Sequence, residues 1–396
     1  MRLIERTRYL ETLVDVMGTP DIKVITGIRR SGKSKLLEAL RDYILANVAD
    51  ANVIHVNYNL DDFEGIAEYH ALLNYVKDRY QPEAVNFLLI DEVQMCEGFE
   101  RAINSLHASE RYDIFITGSN AFLLSSDLAT LFTGRTFELE VFPFSFSEFC
   151  KYYGRADVDD AFDDYALQGG MSGSYLYKNP VQRFKYIADV FRTLVMRDIV
   201  QRHNVRNKAM LDKIGDFMLD NVSNITSARS VANTLGSGGS VPNHKTVGAY
   251  IGYLCDAFAL YRIRRYDIRG KKYLASGEKY YLADHSFKYA LLGTRDMDWG
   301  RTYENIVAIE LLRRGYEVYV GTLYKKEIDF VAIRQSEKTY IQVSDDISSD
   351  KTFEREVSPL FQIKDAYPKM VIARTKHGEY THEGVRIVDI ARWLAG

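Results

Sequence analysis

Over the first third of the chain, short apolar runs alternate with amphipathic segments. Ile22–Thr26, Val53–Tyr58, Phe87–Ile90 and Ile114–Thr117 are predominantly apolar short runs, the pattern of strands buried on both faces. Between them, segments such as Lys35–Ala46 place apolar residues at helical spacing. Alternation of this kind predicts an α/β fold with a parallel sheet and crossover helices. Phe137–Phe142 predicts one more strand, and from Pro143 to Met210 the period becomes helical. Leu211–Asp284 predicts three helices followed by two strands. The last part predicts a helix at Tyr303–Arg314 and strands at Glu317–Tyr319, Ile328–Ile333, Thr339–Val343 and Met370–Ala373, a compact α/β unit.

Composition narrows this only slightly. A chain of 396 residues with 46% hydrophobic and 27% charged residues has the balance of a globular protein of two or three domains. With 51 basic and 54 acidic residues the net charge is -3, so any nucleic-acid signal has to be local. The 3 cysteines are widely spaced and fit neither a disulfide framework nor a zinc site. Met1–Arg6 has no apolar core of signal-peptide length, and no stretch approaches the ~20 apolar residues of a membrane helix. A cytoplasmic location without membrane contact is expected.

The chemistry begins at Gly27-Ile28-Arg29-Arg30-Ser31-Gly32-Lys33-Ser34, a complete G-x-x-x-x-G-K-[ST] loop. An apolar strand runs into it and a helix-forming run from Lys35 leaves it. Such a loop wraps backbone N–H groups around phosphate, and the following helix adds its positive N-terminal dipole. Lys33 is expected to reach the β- and γ-phosphates of ATP, and the Ser34 hydroxyl to bind Mg²⁺. Phe87–Ile90 ends in Asp91-Glu92. Asp91 is expected to hold the metal through its water shell, and Glu92 to orient and deprotonate the attacking water. A further strand ends in Thr117-Gly118-Ser119-Asn120. In a parallel sheet that end lines the ligand crevice, so Ser119 or Asn120 is a candidate γ-phosphate sensor. Arg135 is a candidate arginine finger acting between copies of the chain, with Arg29 and Arg30 as competitors for the role.

With these residues in view the chain resembles bacterial and archaeal AAA-like ATPases whose C-terminal domain of unknown function is similar to PD-(D/E)XK nucleases. The resemblance rests on Gly27–Ser34 with its double arginine, Leu88–Gln94, Thr117–Ser125, Thr133–Arg135 and Val141–Phe149. It continues through Gly169–Gly173, Arg197-Asp198-Ile199, Tyr303–Leu312 and Glu327–Val331. It implies an AAA-like core at 1–142, a helical lid at 143–207, a winged helix at 208–285 and a nuclease-like α/β domain at 286–396.

In the middle segment, Thr226–Leu235 and His244–Ala257 are the expected helices, the second the candidate recognition helix. Leu260–Tyr266 and Lys272–Tyr281 are the expected wing strands. Arg262, Arg264, Arg265, Arg269, Lys271 and Lys272 cluster there with Tyr261, Tyr266 and Tyr273, a surface suited to the phosphates of double-stranded nucleic acid. A solvated strand face is the plainer alternative.

A PD-(D/E)XK site needs acids converging on Mg²⁺ and a lysine beside them. The resemblance assigns Glu304 and Asp329 as metal ligands. It puts Gln342 where a carboxylate belongs and Ser344 where the lysine belongs. Either cleavage is lost and the domain serves as a docking surface for a protein partner, or Glu310, Asp345 or Lys325 has moved into role. Alternatively, Glu304 and Asp329 simply pair with Arg301, Arg313 or Lys325. Three function classes follow: a nucleic-acid-associated regulatory ATPase, an ATP-gated nuclease, and an ATP-driven protein-interaction switch. A homo-oligomer is compatible with each.

Overall fold

The computed structural model describes residues 4–118, 132, 134–236, 241–270, 272–294, 297–324 and 326–396, with the side chains of 272–276 left aside. The chain divides into two compact units, Arg2–Phe142 and Pro143–Gly396.

The first unit runs α1 (Thr7–Asp15), β1 (Ile22–Thr26), α2 (Lys33–Asn47), β2 (Ala51–Asn57), α3 (Tyr69–Lys77), β3 (Val85–Asp91), α4 (Phe99–Ala108), β4 (Asp113–Thr117) and β5 (Thr136–Glu140). Its five-stranded sheet has the order β2-β3-β4-β1-β5, and every neighbouring pair is parallel. The continuous apolar runs are explained by burial on both faces. Leu88 and Ile90 of β3 pack in one core with Leu72 of α3 and Ile103 of α4. Phe87 and Leu89, pointing the other way, pack with Leu13 of α1 and Leu37 and Leu40 of α2.

The second unit begins with α5 (Phe146–Tyr153), α6 (Val158–Gln168) and α7 (Pro180–Thr193), then α8 (Lys208–Asp220), α9 (Ala228–Gly236) and α10 (His244–Asp256). A π-helical stretch, Leu194–Gln201, follows α7. Then come β6 (Leu260–Asp267), β7 (Lys272–Leu282), α11 (Ser286–Leu292), α12 (Trp299–Arg313), β8 (Glu317–Leu323), β9 (Lys326–Arg334) and β10 (Glu337–Ser344). The chain closes with α13 (Asp350–Phe361), β11 (Lys369–Ala373), β12 (Tyr380–His382), β13 (Val385–Asp389) and α14 (Ile390–Ala395). Helix starts follow capping chemistry: Ser145 and Glu148 form a reciprocal capping box on α5, and Asp298 caps α12.

The eight-stranded sheet has the order β12-β13-β11-β10-β9-β8-β6-β7. The division therefore differs from the four expected segments. The two strands expected as a wing are paired with each other, but β6 also pairs in parallel with β8 and so continues the C-terminal sheet. The helices expected as a lid group with this sheet too. Arg374, at the end of β11, holds Asp159 of α6 at 2.6 Å, and Phe162 packs edge-on against Tyr303 of α12.

Candidate functional site

The phosphate loop lies where β1 hands over to α2. Gly27 has φ 131°, and a Cβ there would stand 2.2 Å from the Val141 carbonyl oxygen, so only glycine fits. Gly32, with φ 100°, turns the chain into the helix. No side chain caps α2 and no acid sits in its first turn. The first amides of a helix have no acceptor within it, so this N-terminus is built for an anion. Ser31 Oγ is buried without a hydrogen-bond partner among the described residues, a second sign that the loop expects a polar ligand. Lys33 donates to the Gly27 and Ile28 carbonyls at 2.9 and 3.1 Å, its ammonium folded back over the loop. Arg6 supports the loop from outside by donating to the Ser31 carbonyl at 2.9 Å.

Asp91 ends β3, two strand positions from β1 because β4 intervenes. At the usual ~4.8 Å between strands, the acid stands roughly 10 Å from the loop, room for a phosphate and a hydrated cation. Asp91 is buried, accepting from Thr117 Oγ1 at 2.5 Å and from Asn59 Nδ2 at 3.3 Å. The Glu92 amide donates to the same Thr117 oxygen at 3.1 Å. Glu92 itself adopts φ 56°, and its carboxylate accepts from Gln94 Nε2. The left-handed turn lifts Glu92 out of the strand path and Gln94 fixes its head. A Mg²⁺ ion draws most of its six ligands from phosphate and water. Ser34 and Asp91 are protein donors of the right hardness, so the residues present fit Mg·ATP.

Other expected residues fall elsewhere. Arg135 lies at the N-terminal end of β5, where its carbonyl accepts from the Ile22 amide at the start of β1. The loop is at the other end of β1, about 17 Å away at ~3.3 Å per residue, so Arg135 does not serve its own phosphate site. The Lys35 ammonium pairs with Glu38 on the surface at 2.6 Å, leaving only its first-turn backbone near the phosphates. Arg30 is exposed, with φ 66°. Ser119 and Asn120 lie outside the described residues, as do Lys271 and Lys325. Asn59 and Arg6 do not stand out in the sequence pattern, and Thr117 and Gln94 lie in segments named there without a role of their own. Polar residues at strand ends are the available signal for Thr117 and Asn59.

In the second unit, Arg262 and Arg264 are exposed on β6 and Arg269 on the turn after it. Arg265 is half-buried and donates to Thr322 Oγ1 at 3.1 Å, so it stitches β6 to β8 and does not join the surface cluster. Glu304 and Asp329 do come together, and Gln342 adjoins them. Among the described residues their cationic partner is Lys279 and neither Arg301 nor Arg313. Arg301 pairs with Asp298, and Arg313 with Glu310. Glu310 is also held by Arg314 at 2.7 Å, which removes it from any part in this cluster, and Asp345 is exposed. Among the described residues no helix is long and apolar enough to cross a membrane.

A parallel sheet with a glycine loop, a capless helix and a strand-end acid pair defines an AAA-type P-loop ATPase domain. Residues 19–150 match the family model of an AAA domain, and residues 159–298 match a domain of unknown function, DUF8612. An uncharacterised protein of Haemophilus influenzae is 34% identical over 399 residues, covering 99% of this chain and 98% of that one. The chain belongs to the family of that protein. An uncharacterised protein of Methanocaldococcus jannaschii is 24% identical, over 98% of this chain and 89% of its own. A Walker-type ATPase of Pyrococcus abyssi has a similar fold, with a TM-score of 0.51 at 16% identity, over 73% of this chain and 96% of that one.

Proposed function

We propose that this protein is a Mg²⁺-dependent ATPase whose hydrolysis cycle regulates what residues 143–396 bind, with double-stranded nucleic acid as the ligand class. One observation carries the catalytic part: Thr117 ties Asp91 and Glu92 together at the sheet edge that carries the phosphate loop. Lys33 leaves the loop carbonyls for the β- and γ-phosphates, and the first amides of α2 hold the phosphate chain. Ser34 and Asp91 hold the Mg²⁺, which when bound neutralises developing phosphate charge. Glu92, steadied by Gln94, takes the proton of the attacking water. Arg135 contributes only to the site of a neighbouring copy, which makes a homo-oligomer part of this reading.

The nucleic-acid part rests on the exposed Arg262, Arg264 and Arg269 and on the preceding helices α8–α10, whose order with β6 and β7 is that of a winged helix. The helix, three-strand meander, helix and parallel strand from α12 to β11 support the nuclease-like fold. The decisive experiment is ATP turnover by Glu92→Gln and Lys33→Ala. Glu92→Gln should bind ATP and fail to hydrolyse it; Lys33→Ala should lose both. Normal turnover in Glu92→Gln moves the base elsewhere.

A further inference from the structure

The nuclease resemblance implies Mg²⁺ between Glu304 and Asp329, and the side chains there do not fit it. Lys279, on β7, is buried with its Nζ 2.8 Å from Glu304 Oε1, 2.7 Å from Glu327 Oε1 and 3.8 Å from Asp329 Oδ1. Tyr281 Oη donates to the same Glu304 oxygen at 2.6 Å. Asp329 Oδ2 accepts from the Val343 amide at 2.9 Å. Gln342 is spent as well, its Oε1 accepting from the Asp329 amide at 2.8 Å and its Nε2 donating to Glu356 at 3.1 Å. Mg²⁺ demands near-octahedral oxygens at about 2.0–2.1 Å and gives up water reluctantly. Among the described residues no three His, Cys, Asp or Glu side chains are arranged to hold a metal.

We infer that the Lys279 ammonium takes the place of the divalent cation in this cluster, which makes the second unit a metal-free module with its own resident charge. An ammonium pairs directly with carboxylates, here Glu304 and Glu327 at hydrogen-bond distance and Asp329 at 3.8 Å as a longer ion pair, and so offsets the acids without a metal's hydration shell. The lysine comes from a strand of the 208–285 segment, while its acids come from α12 and β9. The same contact therefore anchors the β6–β7 hairpin to the C-terminal sheet.

The test counts Mn²⁺ bound by the full-length, nucleotide-free protein from the electron paramagnetic resonance signal of free Mn²⁺. Wild type and Asp329→Asn should bind equal amounts. Lys279→Met should gain one equivalent per chain and lose it again in the Lys279→Met/Asp329→Asn double variant. A wild-type equivalent that Asp329→Asn removes overturns the inference. So does a folded Lys279→Met protein with no gain. Should Lys279→Met fail to fold by circular dichroism, the wild-type comparison with Asp329→Asn still decides. None of these comparisons changes the phosphate loop, so their outcome is independent of the ATPase reading.

Discussion

Replacing Thr117 with valine keeps the shape of the side chain and removes one oxygen. That oxygen donates to Asp91 at 2.5 Å and accepts from the Glu92 amide at 3.1 Å, both within a buried sheet edge. A hydrogen bond to a charged group contributes about 1.5–3 kcal/mol, and stranding a buried amide costs about 1–3 kcal/mol. The two losses share one atom and are not additive, so a destabilisation of about 2–4 kcal/mol is expected. The catalytic effect is separate. Without the hydroxyl, Asp91 and Glu92 lose their common reference point. At about 1.36 kcal/mol per tenfold, a loss of roughly 1.4–2.7 kcal/mol in the transition state lowers kcat about 10- to 100-fold. The loop and Lys33 sit on other elements, so nucleotide affinity should change less than about threefold, an effect under ~1 kcal/mol. Steady-state ATP turnover at a temperature well below the melting transition, paired with fluorescent-nucleotide binding, separates the effects. Thr117→Ser, which restores the hydroxyl, should recover most of kcat. A Thr117→Val enzyme with kcat within about twofold of wild type would refute the reasoning.

Arg374→Gln should destabilise the second unit by about 1–3 kcal/mol at pH 7, because it removes the guanidinium from buried Asp389, which keeps four backbone amides, and the shorter of two arginine contacts from Asp159. The hydrogen bond from Arg374 holds the Asp159 pKa below its usual 3.8, against opposing desolvation. That contribution is therefore present above about pH 4 and fades as pH falls through the lowered value. Urea melts should show the gap between wild type and variant narrowing from pH 7 to pH 3; a constant gap contradicts the assignment. Reversing Arg262, Arg264 and Arg269 to Glu should weaken duplex DNA binding and flatten its salt dependence, by about 0.9 in log–log slope for each phosphate no longer neutralised. Unchanged binding would move the binding surface off β6, and no binding by wild type at low salt favours the protein-interaction switch. Mg²⁺- or Mn²⁺-dependent cleavage of DNA that Asp329→Ala abolishes would instead promote the ATP-gated nuclease.

The ATPase core is legible in the sequence because its strands are apolar on both faces. Ile22–Thr26 has the bounds its run predicts, β4 starts one residue earlier than expected, and β3 starts two residues earlier and ends one later. The phosphate loop is legible because its glycines answer local backbone demands, the close approach of Val141 at Gly27 being one. Thr117 is not. Its importance comes from β4 lying between β1 and β3, and the order of strands in a sheet leaves no mark in local periodicity. The same gap explains Arg135. Its place just before a strand is visible, but the end of the sheet it occupies depends on β5 pairing parallel to β1.

Lys279 shows what a closer reading of period can recover. In a strand, residues two apart share a face, so Lys279 lies on the same face as Tyr281, which is fully buried. A lysine in phase with a core tyrosine requires buried carboxylates somewhere in the fold, since an unpaired ammonium is too costly to bury. That much is in the sequence. What the sequence withholds is which carboxylates answer it, because β7 meets α12 and β9 through contacts between distant segments, Leu282 with Asn305 and Tyr281 with Phe330, and β6 pairs with β8 at Arg265, Tyr266 and Asp267. The resemblance to nucleases would put a lysine at Ser344. The structure supplies a lysine from a different segment and seats it among the acids, where it acts as their counter-ion.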